Sequence, residues 1–200
     1  PNAERLMPED QSHHSTKDGY KTWFDLTVLV LAHLLLLPLW LLIWIIIPIL
    51  IRLDDRGPVF YKQDRAGKGG KIFTVFKFRT MVLDAEGKGA AWTIDEDPRI
   101  TRVGKLLRRT GLDELPEVLN IWKGDMSLVG PRALDIEEHR VLEQQIEGFS
   151  DRLMVRPGLT GLAQVYDRRD DAVDKFSYDI LYLKSMSPWL DTKLLVLSVL

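Results

Sequence analysis

The sequence has no cysteine, which excludes disulfide frameworks, thiolate metal sites and a cysteine nucleophile, and fits a reducing compartment. It also lacks a basic excess. With 27 Lys and Arg against 29 Asp and Glu, the net charge is -2 and the pI about 6.1, which argues against a nucleic-acid binder. Histidine is scarce and scattered. His13 and His14 lie in a polar tail, His33 in an apolar run and His139 in a charged helical pattern, so no zinc cluster is expected. The most telling absence is that of charge from Leu26 to Ile51, where only Thr27 and His33 are conspicuously polar.

That run is longer than the roughly 20 residues a helix needs to cross a bilayer, and it lies too late in the chain for a signal peptide. Pro38 stands in its middle and predicts a break, because proline removes a helix hydrogen bond and clashes with the preceding turn. Lys21 flanks one side and Arg52 and Arg56 the other, so the distribution of positive charge selects no orientation. Two forms are therefore open: a kinked spanning helix, which hydropathy alone favours, and a re-entrant hairpin whose ends return to one face.

The rest of the 200-residue chain is long enough for one ordinary domain. Residues Pro1 to Gly19 read as a flexible tail, the membrane segment covers 20–56, and the mixed polar and apolar composition of 57–200 reads as the folded domain. Val59 to Gln63 and Ile72 to Arg79 alternate as strands, with Phe73, Val75, Lys77 and Arg79 on one face of the second. The glycine- and lysine-rich Asp64 to Lys71 between them reads as a hairpin turn, since it lacks the spacing of a phosphate loop. Met81 to Trp92 reads as a mobile loop.

Asp97-Pro98 is expected to open a helix whose basic stripe is Arg99, Arg102, Lys105 and Arg109 and whose apolar side is Ile100, Val103, Leu106 and Leu107. Such a helix suits an anionic membrane surface, a polyphosphate or simply solvent. Gly111 ends it, and Pro116 fits the first turn of the next helix, Glu117 to Trp122. The adjacent acids Asp113 and Glu114 then occupy a helix-to-helix joint, near Arg108 in sequence and followed by Arg132 after a Gly130-Pro131 turn. Two carboxylates can supply an oxygen nucleophile and a ligand for a hard divalent cation, while guanidiniums neutralise phosphoryl oxygens. Adjacent acids at a turn are also an ordinary solvated helix entrance. Further on, Leu134 to Gly148 reads as a charged structural helix and Val155 to Gln164 as a loop whose glycines let backbone approach a ligand. Ala172 to Leu200 reads as helical with a break at Ser187-Pro188.

Three ordered blocks, GPVFYKQDRAGKGGKIFTVFKFRTM, DPRITRVGKLLRRTGLDELPEVLNIWKGDMSLVGPR and VRPGLTGLAQV, closely resemble the bacterial sugar transferases, the monotopic polyprenyl-phosphate phosphoglycosyl transferases. The likeness covers about Lys21 to Asp191. It implies an α+β, mainly helical fold with a proline-broken re-entrant membrane helix, a β-hairpin and a small catalytic domain on the cytoplasmic face of the bacterial inner membrane. It implies transfer of a sugar 1-phosphate from a UDP-sugar to a polyprenyl phosphate, with release of UMP. By the same resemblance Asp113 is the nucleophile, Glu114 binds Mg²⁺, Arg108 and Arg132 surround the phosphate with Lys77 and Arg79 as further candidates, and Gln164 and Arg168 lie on the nucleotide side. The partners implied are the UDP-sugar, polyprenyl phosphate and membrane lipids, with no nucleic acid; a homodimer is compatible.

The sequence departs from the family pattern at several points. Lys21-Thr22-Trp23-Phe24-Asp25 lacks the arginine of KRxFD, Leu37 stands where serine is frequent before Pro38, and Pro131-Arg132-Ala133 replaces PRP. Ala163 to Arg168, AQVYDR, replaces AQVNGR. None of these touches Asp113 or Glu114. Two alternatives use the same residues differently: a Mg²⁺-dependent diphosphate hydrolase that activates water, and a non-catalytic membrane scaffold that retains the fold.

Overall fold

The computed structural model describes residues 17–83, 85, 97–167 and 171–199. The tail expected over Pro1 to Gly19 and the loop expected over Met81 to Trp92 therefore fall largely outside the described residues, and Arg168 falls wholly outside them. Eight α-helices and four short strands are described, so the chain is mainly helical with a little sheet.

The long apolar run forms two helices, α1 (Lys21–Leu35) and α2 (Leu37–Asp54). They part at Leu36, whose φ of -109° and ψ of 16° leave helical geometry, and Pro38 falls in the first turn of α2. That is where proline is tolerated, since the N–H it lacks has no intrahelical partner there. His33 and Trp40 stack across the break, with ring centroids 4.4 Å apart and planes 8° from parallel. Seven residues of straight helix rise roughly 10.5 Å, so the two rings reach toward each other along one face to close that gap. α2 has a mean hydropathy of 2.0 and buries few of its residues; by length and composition it can cross a membrane.

The described chain divides into two compact units. One comprises Val30–Lys62 and Phe76–Val118. In it the exit half of α2 packs Ile47 and Ile51 against Phe78 and Leu107, with Trp44, Val103, Leu112 and Leu115 around them. The rings of Trp44, Phe60 and Phe78 gather within about 6 Å of one another. Leu39, Leu41, Leu42, Ile45 and Ile49 of the same helix remain exposed, so α2 anchors by its end and leaves an apolar surface elsewhere.

The hairpin expected from alternation is present as β1 (Phe60–Ala66) and β2 (Ile72–Phe78), joined by a 3-10 turn at Lys68–Gly70. β2 buries both faces, Phe73 and Val75 on one and Phe78 on the other. The helix expected from Asp97 starts later. α3 spans Arg102–Thr110, capped by Thr101, whose hydroxyl accepts from the Gly104 N–H at 2.9 Å. Asp97 instead pairs with Arg99, Nη2 to Oδ2 2.6 Å, which lowers its carboxyl to about 2 and takes Arg99 off the basic stripe. A local ion pair and a hydroxyl cap outcompete the Asp-Pro signal.

The second unit comprises the chain up to Leu29, Gln63–Val75 and Leu119–Leu200. It holds α4 (Val118–Lys123) beyond its first residue, β3 (Ser127–Val129), α5 (Ile136–Gln145), β4 (Gly158–Thr160), α6 (Leu162–Tyr166), α7 (Ala172–Ser185) and α8 (Pro188–Val199). β3 and β4 pair in parallel, Ser127 opposite Gly158 and Val129 opposite Thr160. A Cβ on Gly158 would lie 2.0 Å from the Gly130 nitrogen. The glycine expected to let a ligand approach thus lets β4 approach the Gly130-Pro131 turn.

His139 of α5 is fully buried beside Phe149, its Nε2 3.3 Å from the Ser150 hydroxyl and its Nδ1 without a hydrogen-bond partner. Burial, and then the Arg152 guanidinium, push its pKa below the ordinary value, while Glu143 opposes them. The unfolded chain therefore binds a proton more readily than the fold does. The associated stability is present above about pH 6.5 and is lost as pH falls, at up to about 1.4 kcal/mol per pH unit. Chemical denaturation between pH 7.5 and 5 should show that slope, and His139→Gln should flatten it.

Candidate active site

The two acids are placed by a backbone device. α3 ends at Gly111, whose φ of 69° suits glycine, and the Gly111 N–H returns to the Arg108 carbonyl at 3.3 Å. The chain re-enters at once as a 3-10 turn, Leu112–Glu117, and α4 follows it directly, within one residue of the Glu117 to Trp122 helix expected after Pro116. In a 3-10 turn residues three apart eclipse, so Leu112 and Leu115 share a side and pack together on the Ile47, Ile51, Phe78 and Leu107 cluster. Asp113 and Glu114 between them stay half-buried. The joint expected from the sequence is present, and the two leucines seat it on the core.

β2 supplies the cation. The Lys77 ammonium donates to Glu114 Oε1 at 2.7 Å and lies 3.1 Å from Glu117 Oε1. α3 supplies Arg108, whose Nε donates to the Thr80 hydroxyl at 2.9 Å. The Asp113 carboxyl is pushed above its ordinary pKa, first by burial and then by the charge of Glu114, while Lys77 and Arg108 pull it down. A more basic carboxylate is a better nucleophile once ionised, and two neighbouring cations favour the ionised form. Asp113, Glu114, Lys77 and Arg108 thus form one electrostatic group within a single unit.

Arg79 takes a different place. Its guanidinium is buried and pairs with Asp55, Nη1 to Oδ2 3.1 Å, while also donating to the Asp55 carbonyl. It braces the chain where α2 ends. Arg132 and Gln164 belong to the other unit. There the Arg132 carbonyl accepts from Arg152, which is paired with the buried Asp179 at 2.7 Å. Sequence reasoning misses Glu117 and Thr80, although Glu117 is one helical turn from Glu114 and Thr80 directly follows Arg79. It also misses Arg156 as part of a cavity: Arg156 lies 3.5 Å from Asp25 and, with Lys68, Lys71, Phe73 and Asp125, lines an open space of about 200 Å³.

A divalent metal can be tested against the donors present. Among the described residues no three or more His, Asp or Glu side chains converge on one point. Glu114 keeps 25% of its side chain exposed, against 7% for Glu117. One open carboxylate, with phosphate oxygens and water completing the sphere, is the coordination habit of Mg²⁺ rather than of a caged ion. The residues fit that mode.

The family model described as bacterial sugar transferase matches residues 16–200. Over 166 residues the chain is 40% identical to the UDP-N-acetylgalactosamine-undecaprenyl-phosphate N-acetylgalactosaminephosphotransferase of Aeromonas hydrophila, covering 81% of this chain and 39% of that protein. It is 39% identical over 159 residues to the UDP-glucose:undecaprenyl-phosphate glucose-1-phosphate transferase of Escherichia coli (strain K12), covering 76% of this chain and 34% of that protein. It is 40% identical over 185 residues to the exopolysaccharide production protein PSS of Rhizobium leguminosarum bv. phaseoli, covering 88% of this chain and 90% of that protein. The chain therefore spans less than two fifths of the first two relatives and nearly all of the third.

Proposed function

Because the chain belongs to the bacterial sugar transferase family, we propose that it moves a sugar 1-phosphate from a UDP-sugar to undecaprenyl or a related polyprenyl phosphate and releases UMP. The observation that carries this reading is the Asp113-Glu114 turn held against Lys77 and Arg108, in a chain whose relatives are named for that transfer.

In the first step an Asp113 carboxylate oxygen attacks the phosphorus that bears the sugar. A P–O bond forms, the bond to the bridging diphosphate oxygen breaks, and its electron pair leaves with UMP. In the second step an oxygen of the polyprenyl phosphate attacks the same phosphorus, and the aspartyl P–O bond breaks to restore the carboxylate. Neither step needs an oxidant, and two steps let a soluble and a lipid substrate use one small site in turn. Lys77 and Arg108 offset the repulsion between a carboxylate and a diphosphate. Glu114 would hold Mg²⁺, which when bound supplies neutralising charge to the phosphoryl oxygens. By the family resemblance alone, Arg132 would help neutralise the phosphate, and Gln164 and Arg168 would serve the nucleotide.

The test is the intact mass of the detergent-held protein after Mg²⁺ and a panel of UDP-sugars, without acceptor. A gain equal to one sugar phosphate, discharged by polyprenyl phosphate, is expected. No adduct with any donor, together with kinetics that require both substrates at once, would remove Asp113 as nucleophile.

The same reading makes α1 and α2 a re-entrant pair with the catalytic residues on the cytoplasmic face of the inner membrane. The absence of cysteine gives a clean check. A Cβ added at Gly19 would meet nothing within 4 Å and Arg56 is exposed, so Gly19→Cys and Arg56→Cys are both tolerable. An impermeant maleimide should reach both from the cytoplasmic side alone; labelling from opposite sides would make the run a spanning helix.

A further inference from the structure

Glu117 has no place in that transfer, yet it is a nearly closed carboxylate aimed at a lysine that the transfer uses. Its side chain is 7% exposed, and its Oε1 lies 3.1 Å from the Lys77 ammonium, which also donates to Glu114 Oε1 at 2.7 Å. One ammonium is thus shared by two carboxylates of unequal access, Glu114 being the more open. A divalent cation arriving at Glu114 meets Lys77 already on Oε1, and the two positive charges held by one carboxylate repel each other. Lys77, which has a second acceptor in Glu117, is the one that can shift. An ammonium carries three donors, so it can lose one acceptor and keep another within reach.

We propose that Glu117 is a positioning residue that retains the Lys77 ammonium when Glu114 exchanges it for a divalent cation, leaving lysine and metal side by side to meet a diphosphate. This rests on the reading of Glu114 as a metal ligand. The geometry gives the exchange a direction: the closed carboxylate keeps the lysine, and the open one takes the ion that must also contact substrate and water. Without Glu117, Lys77 has Glu114 as its remaining carboxylate and competes with the metal at full strength. Glu117 therefore acts through Lys77, which separates it from a carboxylate that merely adds negative potential.

The probe is Mn²⁺ alone, titrated into the full detergent-held chain and followed by electron paramagnetic resonance, so the readout is affinity rather than turnover. Glu117→Gln should weaken Mn²⁺ binding several-fold and Glu117→Leu by roughly tenfold, mid-range for groups sharing one ion-pair network. Lys77→Met should tighten it. In the Lys77→Met background Glu117→Gln should change nothing further, because the competitor it restrains is gone. The same weakening in both backgrounds, or none in either, overturns the proposal. Where Glu117→Leu fails to fold, the near-isosteric Gln variant and the Lys77→Met double variant still complete the cycle. Glu114→Gln serves as the separate control: unchanged Mn²⁺ affinity there would overturn the metal reading itself, whereas lost affinity with additive Glu117 and Lys77 effects would overturn only the role of Glu117.

Discussion

Asp113→Asn is expected to abolish the phospho-sugar adduct and to lower turnover by roughly 10⁴-fold or more, the scale on which removing a covalent nucleophile acts. The amide keeps the shape of the side chain but has no anionic oxygen to attack phosphorus. The fold should tolerate it. Leu112 and Leu115, not Asp113, hold the turn on the Ile47, Ile51, Phe78 and Leu107 cluster, and burial already disfavours the charged form of Asp113. Unchanged melting with lost adduct is therefore the expected pair of results. Full turnover by the Asn variant would mean that the acceptor attacks the donor directly. Release of sugar phosphate without acceptor in the parent protein would instead favour the hydrolase, an activity for which the Aeromonas, Escherichia and Rhizobium relatives are not named.

The largest loss of stability is expected far from those acids in sequence, at Asp191→Asn. Lys21 and Asp191 are both fully buried and pair at 2.7 Å. Asp191 also accepts from the Tyr20 and Tyr182 hydroxyls, at 2.8 Å and 2.7 Å, while the Lys21 ammonium donates to the Tyr182 oxygen at 2.8 Å. Removing the counter-charge leaves a buried ammonium opposite a neutral amide, at a cost of about 3–5 kcal/mol. For a chain of this length that corresponds to a fall in melting temperature of about 10 °C. Lys21→Met with Asp191→Leu removes both charges and should recover much of the loss. A shift below about 1 °C in the single variant would show that water reaches the pair. Nearby, Asp25 accepts from the Ser127 hydroxyl and the Leu128 N–H at 3.0 and 3.1 Å, so the start of α1 is tied to β3 as well as to α8. The acids and bases of the KTWFD segment serve these internal ties, even though its arginine is missing.

Much of the architecture is legible because its signals are local. Alternation exposes the hairpin, Pro38 the break between α1 and α2, and Ser187-Pro188 the gap between α7 and α8. Gly111 and the acids after it can be read for the same reason: a left-handed residue and the turn behind it lie within a few positions. The start of α3 resists such reading because Asp97 and Thr101 both offer capping oxygens, and the choice between them depends on Arg99 taking one.

The sequence by itself determined the family, the apolar run with its break, and the Asp113-Glu114 pair, since each is written in contiguous residues. Only the tertiary structure decided which charge meets which. Lys77 reaches Glu114 across 37 positions and Lys21 reaches Asp191 across 170, while Arg79, on one strand face with Lys77 by alternation, turns to Asp55. Periodicity reports which side of an element a residue faces, whereas an ion pair also requires the partner element to arrive there. That arrival is set by packing of apolar groups such as Leu112, Leu115 and Phe78, whose contacts carry no charge pattern for the sequence to display.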